Sequence, residues 1–175
     1  MPPAPPELMN ARASDITPAT FQALRERLAA DGVHSLLAQF TDVHGVARGK
    51  LVPLNQLELL MTEGVGFAGP SIWGTGLPRT RPRAEYYGRG QIDTVRALPW
   101  MPGVARVVCD GHVAGEHFDA CPRQVLKRQL VRLAERGWAL RTGIEPEFFL
   151  LRRTADGFEP ADPHDRLDKP SYDLK

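Results

Sequence analysis

The chain has 175 residues, 42% of them apolar and 25% charged, with a formal charge of +1; this is the composition of a soluble globular protein of one ordinary domain or two small ones, and not of a disordered chain. So small a charge gives no global field for nucleic acid or an acidic membrane. No apolar run reaches transmembrane length, and the opening Met1-Pro2-Pro3-Ala4-Pro5-Pro6 lacks the basic-then-apolar order of a secretion signal, so neither partner is expected and the expected location is cytoplasmic.

Residues 1–16 are rich in Pro and Ala without an apolar period and read as a flexible leader. Thr17 then caps a predicted helix with Pro18 at its first position and Phe21, Leu24 and Leu28 on one face, ended by Asp31-Gly32. Val33 to Phe40 reads as a strand, Thr41 to Gly45 as a turn and Val46 to Val52 as the returning strand of a hairpin. A second helix is predicted over Pro53 to Thr62, with Leu54, Leu57, Leu60 and Met61 inward and Gly64 as the stop. The glycine-dense stretch from Gly64 to Gly76 reads as a structured loop. The region of Arg79, Arg81, Arg83 and Arg89, with Tyr86 and Tyr87, continues it and reads as solvated surface or an oligomer contact rather than a nucleic-acid groove. Val104 to Asp110 is predicted as a strand leaving through Cys109-Asp110-Gly111. The strongest helix begins at Pro122, where Val125, Leu126, Leu130, Leu133 and Ala134 form an apolar stripe, and ends at Arg136-Gly137.

Trp138 to Leu151 is predicted as one long or bent strand. Within it, Gly143-Ile144-Glu145-Pro146-Glu147-Phe148-Phe149-Leu150-Leu151 sets two carboxylates into an apolar run with one residue between them. On a strand, alternate side chains share a face, which brings Glu145 and Glu147 roughly 7 Å apart at about 3.3 to 3.4 Å of rise per residue. Two ionised carboxylates beside Phe148 and Phe149 repel each other and lose hydration, so either one takes a proton or a cation neutralises the pair. Oxygen ligands alone favour Mg²⁺ or Mn²⁺ over Zn²⁺. Pro146 removes a ladder donor and suits a bulge or an edge. The two cysteines, Cys109 and Cys121, have no metal or redox spacing and read as reduced thiols, and no pair among the five histidines has i, i+4 spacing.

The order of the segments Phe40-Thr41-Asp42-Val43-His44-Gly45, Gly49-Lys50-Leu51-Val52-Pro53, Phe67-Ala68-Gly69-Pro70-Ser71-Ile72, Pro99-Trp100, Val108-Cys109-Asp110, Pro122-Arg123 and Gly143 to Phe149 resembles the N-terminal part of the glutamine synthetase family. The likeness is greater to its type III branch, which includes gamma-glutamylmethylamide synthetases, and covers roughly residues 20 to 175. The resemblance implies an α+β fold: a β-grasp N-terminal domain over residues 17–115 and the truncated start of the catalytic domain over 116–175. It implies ATP-dependent amide formation from glutamate and ammonia, or alternatively an amine such as methylamine, in a homo-oligomer that uses Mg²⁺ or Mn²⁺. A non-catalytic regulatory subunit is the other expectation. Glu145 and Glu147 match the family's E-x-E strand and are the implied metal ligands, while no catalytic residue is assigned. Two departures stand out. Ala68 replaces an aspartate that helps bind ammonium in well-known bacterial members, and most of the family's active-site residues have no counterpart here, so the chain alone is expected to be inactive.

Overall fold

The structure, a computed structural model, describes residues 17–80 and 85–164. The expected leader, Arg81, Arg83 and residues 165–175 lie outside the described residues. The chain divides into two units, Met1–Ala139 and Leu140–Lys175.

In the first unit, helix α1 (Pro18–Ala30) starts as its sequence dictates: the Thr17 side chain accepts from the Thr20 backbone N–H and Pro18 occupies the first turn. Strands β1 (Ser35–Thr41) and β2 (Ala47–Pro53) form the predicted antiparallel hairpin, with Leu37 opposite Leu51. Asp42 builds its turn. The Asp42 Oδ1 accepts from the backbone N–H groups of His44 (2.9 Å) and Val46 (3.0 Å), and Oδ2 accepts from Arg48 Nε (2.8 Å). A short 3-10 turn (Leu54–Gln56) leads into α2 (Leu57–Thr62), whose Leu57, Leu60 and Met61 are buried as the spacing requires.

The next stretch departs from the loop expected of it. Strands β3 (Val65–Ala68) and β4 (Glu85–Gly90) pair antiparallel, with Ala68 opposite Glu85. Glycines that read as punctuation serve here as packing residues within strands. A Cβ on Gly88 would lie 3.2 Å from Cys109 Cβ, and one on Gly90 would lie 2.7 Å from Met61 Sδ, so only a residue without a side chain lets β4 close on its neighbours.

The two-residue β5 (Arg96–Ala97) precedes β6 (Val104–Val113), which runs three residues past its predicted exit and turns at Ala114-Gly115 into β7 (Glu116–His117). Gly111 is thus a mid-strand residue: a Cβ there would lie 2.3 Å from Tyr86 Oη. The sheet runs β2-β1-β6-β4-β3, with β5 and β7 also pairing to β6; β1 and β6 are parallel, and the other pairs are antiparallel. Leu36, Ala38, Ala105 and Val107 on β1 and β6 meet Leu57, Leu60 and Met61 of α2 in one buried cluster. Tyr86 closes it, its ring 4.7 Å from Phe40 and 5.9 Å from Phe118, in the offset and edge geometries aromatic rings favour.

Helix α3 (Pro122–Ala134) lies where the sequence puts it, but only part of its predicted apolar stripe turns inward. Its buried residue is Gln124; Leu130 and Leu133 of the stripe are half-buried, while Val125 and Leu126 are 39% and 51% exposed, and Val131 beside the stripe is 46% exposed. Residues 138–150 have no regular structure, and in the second unit β8 (Leu151–Thr154) pairs with β9 (Gly157–Pro160) as a hairpin. The predicted strand over Trp138 to Leu151 is therefore absent except for its last residue. A strand is stabilised through ladder bonds to a neighbour, and among the described residues no strand pairs with 138–150. No helix of the described residues is long and apolar enough to cross a membrane.

Candidate functional site

Glu145 and Glu147 stand in this unpaired segment, both exposed and without a hydrogen bond or ion pair among the described residues. Their neighbours are equally open: Ile144 is 89% exposed and Phe149 91%. The donor chemistry, two carboxylates one residue apart, suits a hard divalent cation. The number of donors does not. Among the described residues no group of three or more His, Cys, Asp or Glu is placed to hold a metal, whereas Mg²⁺ takes near-octahedral oxygen coordination. The pair is an incomplete ligand set, and no chemical step is routed through it.

A second polar constellation, which the sequence reading did not single out, lies where α3 meets β6. Asp110 is 1% exposed. Lys127 Nζ donates to its Oδ2 at 2.5 Å, and Arg123 Nε lies 2.8 Å from its Oδ1. The arginine contact lacks hydrogen-bond alignment, so that arm acts through charge alone. Lys127 also reaches Gln91 Oε1 at 3.3 Å, and Gln124 meets His117 Nδ1 at 2.8 Å. Arg123 and Lys127 are four residues apart, one turn of helix, so both cations reach the same carboxylate. That spacing was the available signal; what the sequence lacked was the knowledge that Asp110 lies within β6 rather than at its exit.

Beside this cluster, His112 is 5% exposed, its Nδ1 donating to the Asp110 carbonyl at 3.1 Å and its ring 4.6 Å from that of His117. Burial pushes its pKa down to about 4; the Asp110 carbonyl opposes that, while the charges of Arg89 and His117 add to it. Burial likewise drives the thiol of Cys109 up to about 12, which leaves it an inert core group rather than a nucleophile. Cys109 and Cys121 are both unbridged and buried. At the other edge of the sheet, Ala68 is exposed at the end of β3, and Lys50 Nζ donates to the Gly66 carbonyl at 2.6 Å while lying 5.3 Å from the Phe67 ring centroid.

Residues 119–173 match the family described as glutamine synthetase, catalytic domain. The chain is 46% identical over 143 residues to glutamate–methylamine ligase of Methyloversatilis universalis, which covers 82% of this chain and 32% of the ligase. It is 36% identical over 137 residues to glutamine synthetase of Rhizobium leguminosarum bv. phaseoli, covering 78% of this chain and 30% of the synthetase. A solved structure of a GmaS/ADP complex matches with a TM-score of 0.58 at 33% identity, over 65% of this chain and 26% of that one. Apo GmaS without ligand matches with a TM-score of 0.59 at 32% identity. The chain spans about a third of the length of the curated relatives it matches. Over the segment it shares with them, the chain is similar to members of the glutamine synthetase family.

Proposed function

We propose that this chain is the N-terminal part of an ATP-dependent glutamate–amine ligase. In that reaction the γ-carboxylate of glutamate takes the γ-phosphoryl group of ATP; the amine nitrogen then attacks the acyl carbon, phosphate leaves with the former carboxylate oxygen, and the nitrogen loses a proton to give the γ-glutamyl amide. The observation that carries this reading is the 46% identity to a glutamate–methylamine ligase over 82% of the chain. Methylamine is accordingly the proposed acceptor. Ammonia is the second reading, favoured by the 36% identity to a glutamine synthetase. Ala68 supports the larger amine, since a methyl side chain offers no charge to an ammonium ion and leaves space where the resemblance expects a carboxylate.

Residues 17–115 are proposed as a β-grasp domain, a reading supported by the parallel β1–β6 pair flanked by the β1–β2 hairpin and by the helices packed on one face of the sheet. Residues 116–175 are then the start of the catalytic domain. Glu145 and Glu147 are proposed as ligands to Mg²⁺ or Mn²⁺, with the remaining donors coming from the two thirds of such a ligase that this chain does not span. The ion's contribution when bound is to neutralise phosphate oxygens during transfer. A cytoplasmic location, where ATP and glutamate are available, and a homo-oligomeric state complete the proposal.

The test mixes the chain with the remaining portion of the Methyloversatilis ligase and measures γ-glutamylmethylamide and glutamine by mass spectrometry. The ligase's own N-terminal portion serves as the positive control. Product is expected only when both pieces are present, with methylamine preferred, and is expected to vanish in Glu145→Ala/Glu147→Ala. The chain alone is expected to give none. Failure of the mixture where the control succeeds counts against the proposal, and a strict preference for ammonia overturns the methylamine assignment.

A further inference from the structure

The fully buried contacts that α3 makes with the sheet are polar, while its leucines Leu130 and Leu133 are only half-buried and Val125, Leu126 and Val131 are exposed. A helix usually docks by burying its apolar stripe, yet here the buried contacts are Asp110 with Arg123 and Lys127, and Gln124 with His117. Apolar contacts are non-directional, so on their own they fix the register of a helix less sharply than a charge met by specific partners does. A carboxylate held between two cations four residues apart cannot be satisfied in another register: a shift of one residue along α3 carries Arg123 and Lys127 about 100° around the helix axis and away from Asp110. The clamp is also asymmetric in burial. The Asp110 side chain is 2% exposed, against 35% for Arg123 and 20% for Lys127, so the sheet presents a fixed, desolvated charge and the helix presents two cations that reach in from the rim.

We propose that Asp110 is a positioning residue, whose carboxylate sets the register of α3 on β6 and thereby the point from which the chain bearing Glu145 and Glu147 departs. This rests on the proposed function only for the meaning of the two glutamates; the clamp itself is tested without them. Removing one partner of a buried ion pair leaves the other charge uncompensated, which is far more damaging than losing a surface pair.

The experiment is hydrogen–deuterium exchange by mass spectrometry on the full chain at neutral pH. In Asp110→Asn, the amides of α3 are expected to exchange at least about 10-fold faster, while those of β1 and the first half of β6 keep their protection. Lys127→Gln is expected to show the same local loss to a smaller degree, and Lys127→Arg, which keeps the charge, to retain most of the protection. A purely space-filling role for Lys127 does not separate Gln from Arg in this way. Unchanged α3 exchange in both Asp110→Asn and Lys127→Gln overturns the proposal, as does an increase shared equally by β1 and β6. If Asp110→Asn does not fold, the contrast between Lys127→Gln and Lys127→Arg decides. Glutamate-dependent Mn²⁺ binding by the complemented protein is measured separately, so loss of the metal reading and loss of the clamp are distinct results.

Discussion

Acidification is expected to weaken the first unit through His112 before any carboxylate is titrated out. The imidazole is 5% exposed and stacked on His117, and burial holds its pKa near 4 instead of the ordinary 6.5. Above 6.5 the side chain is neutral in both the folded and the unfolded chain, and the fold has its full stability. Between 6.5 and about 4 the unfolded chain binds a proton that the folded chain refuses, so stability falls as pH falls, by about 1.4 kcal/mol per pH unit at the steepest. Across that window the loss is about 3 kcal/mol as an upper figure, reduced by whatever water reaches the ring from the side of His117. Below about 4 both states are protonated and the histidine contributes no further slope. The assay is urea unfolding followed by tryptophan fluorescence at intervals from pH 7.5 to 4.5, on the natural chain and on His112→Gln. The natural chain should lose stability relative to the variant steadily through the window. A constant difference between the two at every pH would falsify the reasoning, because a buried neutral histidine must contribute a pH-dependent term.

Three further outcomes follow from the geometry. Asp42 is pushed up by burial but pulled below its ordinary value of 3.8 by Arg48 and by the backbone N–H groups of Val46 and His44; its contribution is therefore present above 3.8 and lost as pH falls through its folded value, and Asp42→Asn should flatten the acid limb of the stability curve below about pH 4 without altering the histidine window. Gly111→Ala places a Cβ 2.3 Å from Tyr86 Oη and 2.6 Å from two ring carbons, and should cost about 1–3 kcal/mol or more in urea unfolding because the ring is packed on Phe40 and Phe118 and cannot retreat; a neutral result places Tyr86 elsewhere. Leu126→Glu, on the outward side of α3 at 51% exposure, should change stability by no more than about 0.5 kcal/mol, whereas a loss of several kcal/mol means that the leucine is a core residue after all.

Those three sites also mark where the sequence was and was not legible. Capping and period sufficed for α1, α2 and the β1–β2 hairpin, because each is specified by residues close along the chain: Thr17 with Pro18, Asp42 with Arg48, and the Leu54, Leu57, Leu60 and Met61 spacing. Strands β3 and β4 were hidden by their glycines, whose reason for being there is a neighbour on another strand: Cys109 for Gly88, Met61 for Gly90. The Glu145-Pro146-Glu147 alternation is a property of the chain, but the ladder that turns alternation into a shared face is a property of a second strand, and none of the described residues supplies it.

Helix α3 makes the same distinction at one remove. Its apolar period gave a helix and an apolar side, and a period cannot say which residues meet the sheet. That choice was made by Asp110, a buried charge on a strand that must be met by cations; satisfying it turns Arg123 and Lys127 inward and leaves Val125, Leu126 and Val131 outward. Leu126→Glu and Lys127→Gln therefore form a matched pair on adjacent residues. If charge set the orientation, the apolar-to-charged change is the mild one and the removal of a charge is the damaging one, the reverse of what the helix's own periodicity predicts, and the two unfolding curves measured side by side distinguish the alternatives without reference to any activity.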